Sequence, residues 1–364
     1  MAALAAATCP SAASVSTVVA PSGVHDFRHA ESNPAVPSFP GGGQILFRPQ
    51  DGPGYEYEGV GIMSSDGTIR TYSSPDENFA LWDPAHAGGV LLVPYAGEYR
   101  AEAFTPSDKE LLSVGSWRID DGAFAAFSPD GRWIAETPFD RRDHLRTGTI
   151  RVIDRRTGEG RVLRVGDELT VGGFSLDGEI VAAPWDGGPP VLLDPVSGEV
   201  TGTLPPSVEK AAPSMMTWSP DGRAIAASIC CDRSRIVIAD ASGAVIATIV
   251  VGHRNVSIPT WSPDGTRVAV VVRSLERGGH RTADLIVVDA ETGGTSVVDD
   301  RVSDMFWASW SPDGRWLLLD DWTRDQWLFL AADGGQRMAY PRLGGMARWC
   351  CPSSPPVAVL DPLC

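Results

Sequence analysis

Trp310-Ser311-Pro312-Asp313-Gly314-Arg315-Trp316-Leu317 is the stretch from which the fold is read, because it returns along the chain at a nearly fixed interval. Phe127-Ser128-Pro129-Asp130-Gly131-Arg132-Trp133-Ile134-Ala135 and Trp218-Ser219-Pro220-Asp221-Gly222-Arg223-Ala224-Ile225-Ala226 are close copies. Trp261-Ser262-Pro263-Asp264-Gly265 is another, and Phe174-Ser175-Leu176-Asp177-Gly178 differs in having Leu for Pro. Trp82-Asp83-Pro84 and Trp349-Cys350-Cys351-Pro352 are weaker copies. The aromatic anchors stand at 82, 127, 174, 218, 261, 310 and 349, so their separations run from 39 to 49 residues, the period of a stacked repeat. The two weak copies are counted because they keep the register. Three residues before each anchor is an apolar residue: Phe79, Phe124, Val171, Met215, Ile258, Trp307 and Met346.

Each copy reads as a hairpin. A strand runs into the aromatic residue, Pro stops ladder pairing, Asp-Gly reverses the chain, and an apolar strand follows. A second hairpin recurs further on, where a strand ends in Asp and a Gly follows within a few residues: Asp154, Asp194, Asp240 and Asp289 mark it. Each unit is therefore four antiparallel strands, A to D, which is the blade of a propeller. The expected fold class is an all-β propeller of four-stranded antiparallel blades, seven by the anchor count, with six or eight as alternatives.

The pattern W-S-P-D-G-[R/K]-x-[I/L/V]-A resembles the repeat of TolB-type propellers, and Gly252-His253 to Trp261 is similar to a WD repeat. The resemblance covers residues 44–364. It implies an extracytoplasmic binding protein with protein partners; TolB itself has six blades, and seven anchors depart from that number. The prolyl oligopeptidase family carries similar propellers, but its hydrolase domain has no room here.

Only fifteen residues follow Trp349, while 44–72 holds strand-like segments with no anchor before them. One blade is therefore expected to be completed by both ends, closing the sheet's open edge: 59–64 and 68–72 as strands C and D, with 347–350 and 357–360 as A and B. Residues 1–43, rich in Ala, Ser, Pro and Gly, read as a flexible leader and linker, with the remnant of a signal sequence or, through Cys9, a lipoprotein anchor as alternatives. The expected domains are that leader and a single propeller over 44–364.

Composition excludes several classes. Of 364 residues 43% are hydrophobic and 21% charged, which is globular. The net charge of -16 argues against nucleic acid or an anionic membrane as partner. No apolar run approaches the roughly 18 to 20 residues that cross a bilayer. The six Cys never form a C-x-x-C pair, and the six His are scattered; no metal and no cofactor are expected. Of the vicinal pairs Cys230-Cys231 and Cys350-Cys351, a local bridge of Cys364 to Cys350 or Cys351 and buried free thiols both remain open. There is no G-x-S-x-G elbow, H-E-x-x-H or phosphate loop.

The repeated Asp residues could form a carboxylate ring for Ca²⁺, but Asp in a turn caps its own backbone, and the structural role is preferred. The anchors and Trp307 read as packing between blades. The sharper signal concerns the two ends of the blades. The A–B and C–D turns share one end and are tight. The B–C loops and D–A crossovers share the other, which carries insertions with Arg141, Arg142, His144 and Arg146, and with Arg277, His280 and Arg281; Arg233, Arg235 and Arg324 fall in corresponding loops. Arg348 stands where the other copies have Leu81, Ala126, Gly173, Thr217, Thr260 and Ser309, and marks either the channel or a local salt bridge. Arg forks suit carboxylate and phosphate. The expectation is a monomeric, non-catalytic scaffold binding a protein or an anionic ligand on this loop-rich end, with a channel enzyme of lactonase or lyase type, or an accessory subunit of a larger complex, as alternatives.

Overall fold

The computed structural model describes residues 28–32, 37–49, 60–73, 78–82, 90–94, 99–106, 111–119, 124–137, 149–157, 159–164, 169–184, 188–204, 206–208, 211, 215–229, 233–240, 242–252, 254–273, 283–302, 308–321, 323–349 and 358–359. Their strands form seven antiparallel sheets of four or five strands, and the fold is an all-β propeller. From the inner strand outward, the first sheet is Asn78–Trp82, Val90–Pro94, Tyr99–Pro106 and Leu111–Ile119; the second is Phe124–Phe127, Trp133–Thr137, Thr149–Asp154 and Gly160–Arg164. The third is Leu169–Phe174, Ile180–Pro184, Val191–Leu193 and Val200–Thr203; the fourth is Met216–Trp218, Ala224–Ile229, Ser234–Asp240 and Val245–Gly252. In the fifth, the inner strand is broken into Asn255–Val256 and Thr260–Trp261, followed by Arg267–Arg273, Ala283–Asp289 and Thr295–Val302. The sixth is Ser309–Trp310, Trp316–Asp321, Gln326–Ala331 and Arg337–Pro341; the seventh is Gly344–Trp349, Gln44–Pro49, Val60–Ser64 and Ile69–Ser73. Every anchor ends an inner strand, as the repeat requires.

The repeated residues hold the A–B turn by a common set of bonds. Ser311 Oγ donates to Asp313 Oδ1 at 2.6 Å and accepts from Trp316 N at 2.9 Å, while Arg315 N donates to Asp313 Oδ1 at 3.0 Å. Gly314, at φ 67, turns its N–H onto Ser311 O, a conformation that a Cβ disfavours. The same bonds recur around Ser128, Ser219 and Ser262, and all four Ser are buried. The Ser175 copy is one residue shorter between Ser and strand B: Glu179 N reaches Ser175 Oγ, and that hydroxyl turns to Glu179 Oε2 at 3.5 Å. The C–D turn sits beside the A–B turn and is bonded to it, through Arg155 N to Arg132 O, Ala290 N to Thr266 O and Ala332 N to Arg315 O.

The core lies between sheets. Ala269, Val271 and Leu285 of the fifth sheet cluster with Trp310, Leu317 and Leu328 of the sixth, and Ile236 and Ile238 of the fourth with Trp261, Val268 and Val270 of the fifth. The anchors stitch neighbours as well as filling space: Trp261 Nε1 donates to Thr217 O at 3.1 Å, and Trp310 Nε1 to Thr260 O at 2.9 Å. Burying an indole requires such a partner for its N–H.

At the seam, the sequence expectation is half met. Both ends contribute to the seventh sheet, and Gly344–Trp349, Val60–Ser64 and Ile69–Ser73 take places A, C and D. Strand B, however, is Gln44–Pro49 and not 357–360: Ile45 pairs with Trp349 and Leu46 with Arg348. Ile45, Leu46 and Phe47 are all buried there, which makes this segment the better filler of the space beside Trp349. Ala358–Val359 instead pairs with Phe124–Phe127 of the second sheet. Part of the segment expected as linker is also structured. Arg28–Ser32 adds a fifth strand beyond Ile69–Ser73, Phe39 is buried against Phe329 at 5.6 Å, and Trp349 Nε1 donates to Gly42 O.

Candidate functional site

The turn end of the sheets is chemically closed. Hydrogen bonds, Ser219 Oγ foremost, hold the Asp221 carboxyl below its ordinary range. At Asp130, Asp264 and Asp313 burial pushes the other way, but the Ser hydroxyl and backbone N–H donors outweigh it and the carboxyls are again lowered. Asp194, Asp240 and Asp289 are lowered likewise by bonds within the C–D turns. These carboxylates already serve their own turns, and among the described residues no group of three His, Cys, Asp or Glu could hold a metal ion.

The opposite end, where strands B finish and the crossovers enter strands A, concentrates buried charge. Glu136 lies fully buried at the end of Trp133–Thr137, where the other copies carry Ala227, Val270 and Leu319, and Arg151 Nη1 meets it at 2.9 Å. Asp320 and Asp321 finish the matching strand of the sixth sheet. Arg342, on the crossover into Gly344–Trp349, grips Asp320 with Nε at 2.7 Å, and these side chains are 4% and 8% exposed. Arg324 Nη1 and Gln326 Nε2 both donate to Asp321 Oδ2. The loop between them holds Asp325 at φ 52, the one non-glycine residue with positive φ among the described residues, and Asp325 comes within 3.8 Å of Arg342. Strained backbone of this kind concentrates at functional sites. In the fifth sheet Arg254 bonds Asp284 at 2.6 Å. None of these pairs was singled out from sequence. For Glu136 the available signal was a charge inside strand B at a place where sister copies are apolar.

Of the Arg and His residues picked from sequence, Arg141, Arg142, His144, Arg146, Arg277, His280 and Arg281 lie outside the described residues, as do Trp307 and all six Cys. Arg233, Arg235 and Arg324 are at the crossover end. Arg324 is committed to Asp321, whereas exposed Arg233 and half-buried Arg235 make no ion pair among the described residues. Arg348 is elsewhere. It sits one residue before the A–B turn end of strand A, on the face opposite Trp349 and directly across from buried Leu46. Burial pulls its guanidinium pKa down to about 10, so it remains cationic at neutral pH. At the same place in the sister copies, Thr217 Oγ1 donates to Pro259 O and Ser309 Oγ accepts from Trp349 N, both across to the next sheet. That position is thus a clasp between sheets at Thr217 and Ser309, whereas Thr260 Oγ1 turns to Ala269 O of its own sheet.

No helix of the described residues is long and apolar enough to cross a membrane. No family model and no curated protein matches the chain. Solved structures do. The periplasmic gluconolactonase PpgL of Pseudomonas aeruginosa shares 15% identity over 86% of this chain and 98% of its own, with a TM-score of 0.57. TolB from Acinetobacter baumannii shares 20% over 84% of this chain, which spans 65% of TolB's length, with a TM-score of 0.50. The β-propeller domain of Cps50 (Swd1) from Myceliophteria thermophila shares 13% over 72% of this chain and 84% of its own, TM-score 0.50. At these identities the likeness is one of fold. It spans a gluconolactonase, TolB and a Swd1 propeller domain alike.

Proposed function

We propose that this chain is a non-catalytic, seven-bladed propeller scaffold that binds an anionic ligand, or an acidic segment of a protein partner, on its crossover end, outside the cytoplasm. The observation that carries this reading is the contrast among the arginines there. Arg151, Arg254, Arg324 and Arg342 are each neutralised by a carboxylate, while Arg233 and Arg235 make no ion pair among the described residues. A guanidinium fork without an internal acid suits carboxylate or phosphate from outside. The inserted Arg141, Arg142, His144, Arg146, Arg277, His280 and Arg281 would extend the same surface. The periplasmic gluconolactonase and TolB likenesses support an extracytoplasmic setting.

The test reverses charge in two places, Arg233→Glu with Arg235→Glu, and Arg142→Glu with Arg277→Glu. Binding of inorganic phosphate and of a polyglutamate peptide is then measured by titration calorimetry, and partners are captured with the intact domain. A loss of binding in both double variants supports the surface; unchanged affinity rejects it. The enzyme reading rests on the buried Asp320 and Asp321 beside strained Asp325. Lactone hydrolysis abolished by Asp321→Asn would displace the scaffold reading.

A further inference from the structure

The second sheet has a strand that the repeat does not account for. From its outer edge inward the order is Gly160–Arg164, Thr149–Asp154, Trp133–Thr137, Phe124–Phe127 and then Ala358–Val359. Phe124–Phe127 is the inner strand of its repeat, and the inner strands of a propeller line the central channel. Ala358–Val359 therefore lies on the channel side. Among the described residues, no other sheet carries a strand beyond its inner one.

The path of the chain fits this placement. Gly344–Trp349 delivers the chain to the turn end of the seventh sheet, and Ala358–Val359, antiparallel to Phe124–Phe127, runs back from the turn end toward the crossover end. The second sheet stands two places on, roughly 20 Å at the usual sheet spacing, and the connecting residues 350–357 reach about 30 Å when extended.

The occupation is partial. Ala358 pairs with Ala125 and Val359 with Phe124, and the pairing stops short of Ala126 and Phe127. Carried back along the chain, the same register would set Val357 opposite Ala126 and Pro356 opposite Phe127, and proline has no N–H to give a ladder. A four-residue edge is thus held by a two-residue strand. Open N–H and C=O groups on such an edge are a template for a further strand, and a segment without the prolines can run its whole length.

We propose that the channel edge of Phe124–Phe127 is a docking site for an extended, uncharged segment of a protein partner, and that Ala358–Val359 holds it in autoinhibition until the partner displaces it. The partner's chemistry is read from the segment seated there. Val357-Ala358-Val359-Leu360 has small and β-branched residues that suit a strand, and an added strand is bound through its backbone. The edge itself, Phe-Ala-Ala-Phe, is also without charge. The crossover-end arginines play no part in this contact, so it stands or falls apart from them.

The probes are two labelled peptides: Pro-Pro-Val-Ala-Val-Leu-Asp, residues 355–361, and the same peptide with Pro355→Thr and Pro356→Thr. Fluorescence anisotropy measures their binding to the parent chain, to a chain stopped after Pro356, and to full-length Ala358→Pro with Val359→Pro. The four repeat strands of every sheet precede residue 350, so stopping the chain leaves them whole. A tethered segment competes at an effective concentration on the order of 1 mM, which weakens a ~100 μM peptide about tenfold. Both variants should therefore bind the first peptide about tenfold more tightly than the parent does, and the threonine peptide should bind more tightly still. Hydrogen exchange over 124–127 should be about tenfold faster in the shortened chain and slowed again by either peptide. A control peptide with proline at positions 358 and 359 should lose binding. Equal affinity in parent and variants, a control peptide that binds as well, or exchange at 124–127 indifferent to the shortening overturns the proposal.

Discussion

Ser262→Ala deletes a single oxygen, and the structure says what that oxygen holds. Ser262 Oγ is buried, donates to Asp264 Oδ1 at 2.6 Å and accepts from the backbone of Arg267 at 3.0 Å. A hydrogen bond to a charged group contributes about 1.5–3 kcal/mol, and a buried N–H left unmade costs about 1–3 kcal/mol. Water entering the vacated site recovers part of this, so the expected loss is about 2–4 kcal/mol, against under ~0.5 kcal/mol for exposed Ser296→Ala. The penalty should also depend on pH. Asp264 feels burial raising its pKa, but Ser262 Oγ, Thr266 N and Thr266 Oγ1 together lower it. A carboxyl depressed in the folded state stabilises above its unfolded pKa, near 3.9, and loses that contribution as pH falls through the folded value. Removing Ser262 relaxes the depression, so the variant's penalty shrinks on going from about pH 6 to about pH 3. Urea unfolding at both pH values, with a Ser262→Ala/Asp264→Ala cycle giving a coupling of about 1–2 kcal/mol, measures this. A penalty no larger than that of Ser296→Ala, or a coupling near zero, would refute the account of the repeat.

Three further outcomes follow from described contacts. Asp320→Ala removes the carboxylate that Arg342 Nε and Nη2 bond, leaving exposed Asp325 at 3.8 Å, and should cost about 3 kcal/mol, while Asp320→Leu with Arg342→Met should recover much of it, both read by denaturant midpoint. Gly178→Ala and Gly222→Ala share the strain of positive φ, about 1–2 kcal/mol, but only Gly222 would also press a Cβ to 2.8 Å from Leu176; thermal unfolding should rank Gly222→Ala as the worse. Trp310→Phe keeps an aromatic ring between sheets and loses the bond to Thr260 O, so it should cost about 1 kcal/mol beyond the change in packing.

The anchors were legible because the turn that follows them is local. Ser, Pro, Asp and Gly lie within five residues and fix their own geometry, whatever the rest of the chain does. Strand B of the seam was not legible for the converse reason. Gln44–Pro49 and 357–360 are both short apolar runs without an anchor, and the choice between them rests on packing against Trp349, some 300 residues distant from the first. The Arg signal was legible only as a location. Sequence placed Arg324 on the correct end, but its neutralisation by Asp321 depends on a loop with backbone in the left-handed region, which no residue pattern announces. Arg348 shows the same gap, since its register gave the position but not which side of the strand carries the guanidinium.

The seam also sets a clock. Gln44–Pro49 leaves the ribosome early, and its inner partner Gly344–Trp349 is made about 300 residues later. At about 5–20 residues per second, the row of Ile45, Leu46 and Phe47 waits roughly 15–60 s for its cover. During that interval the nascent chain offers an apolar strand edge, and a holdase able to shield an extended segment would raise its yield most in those seconds.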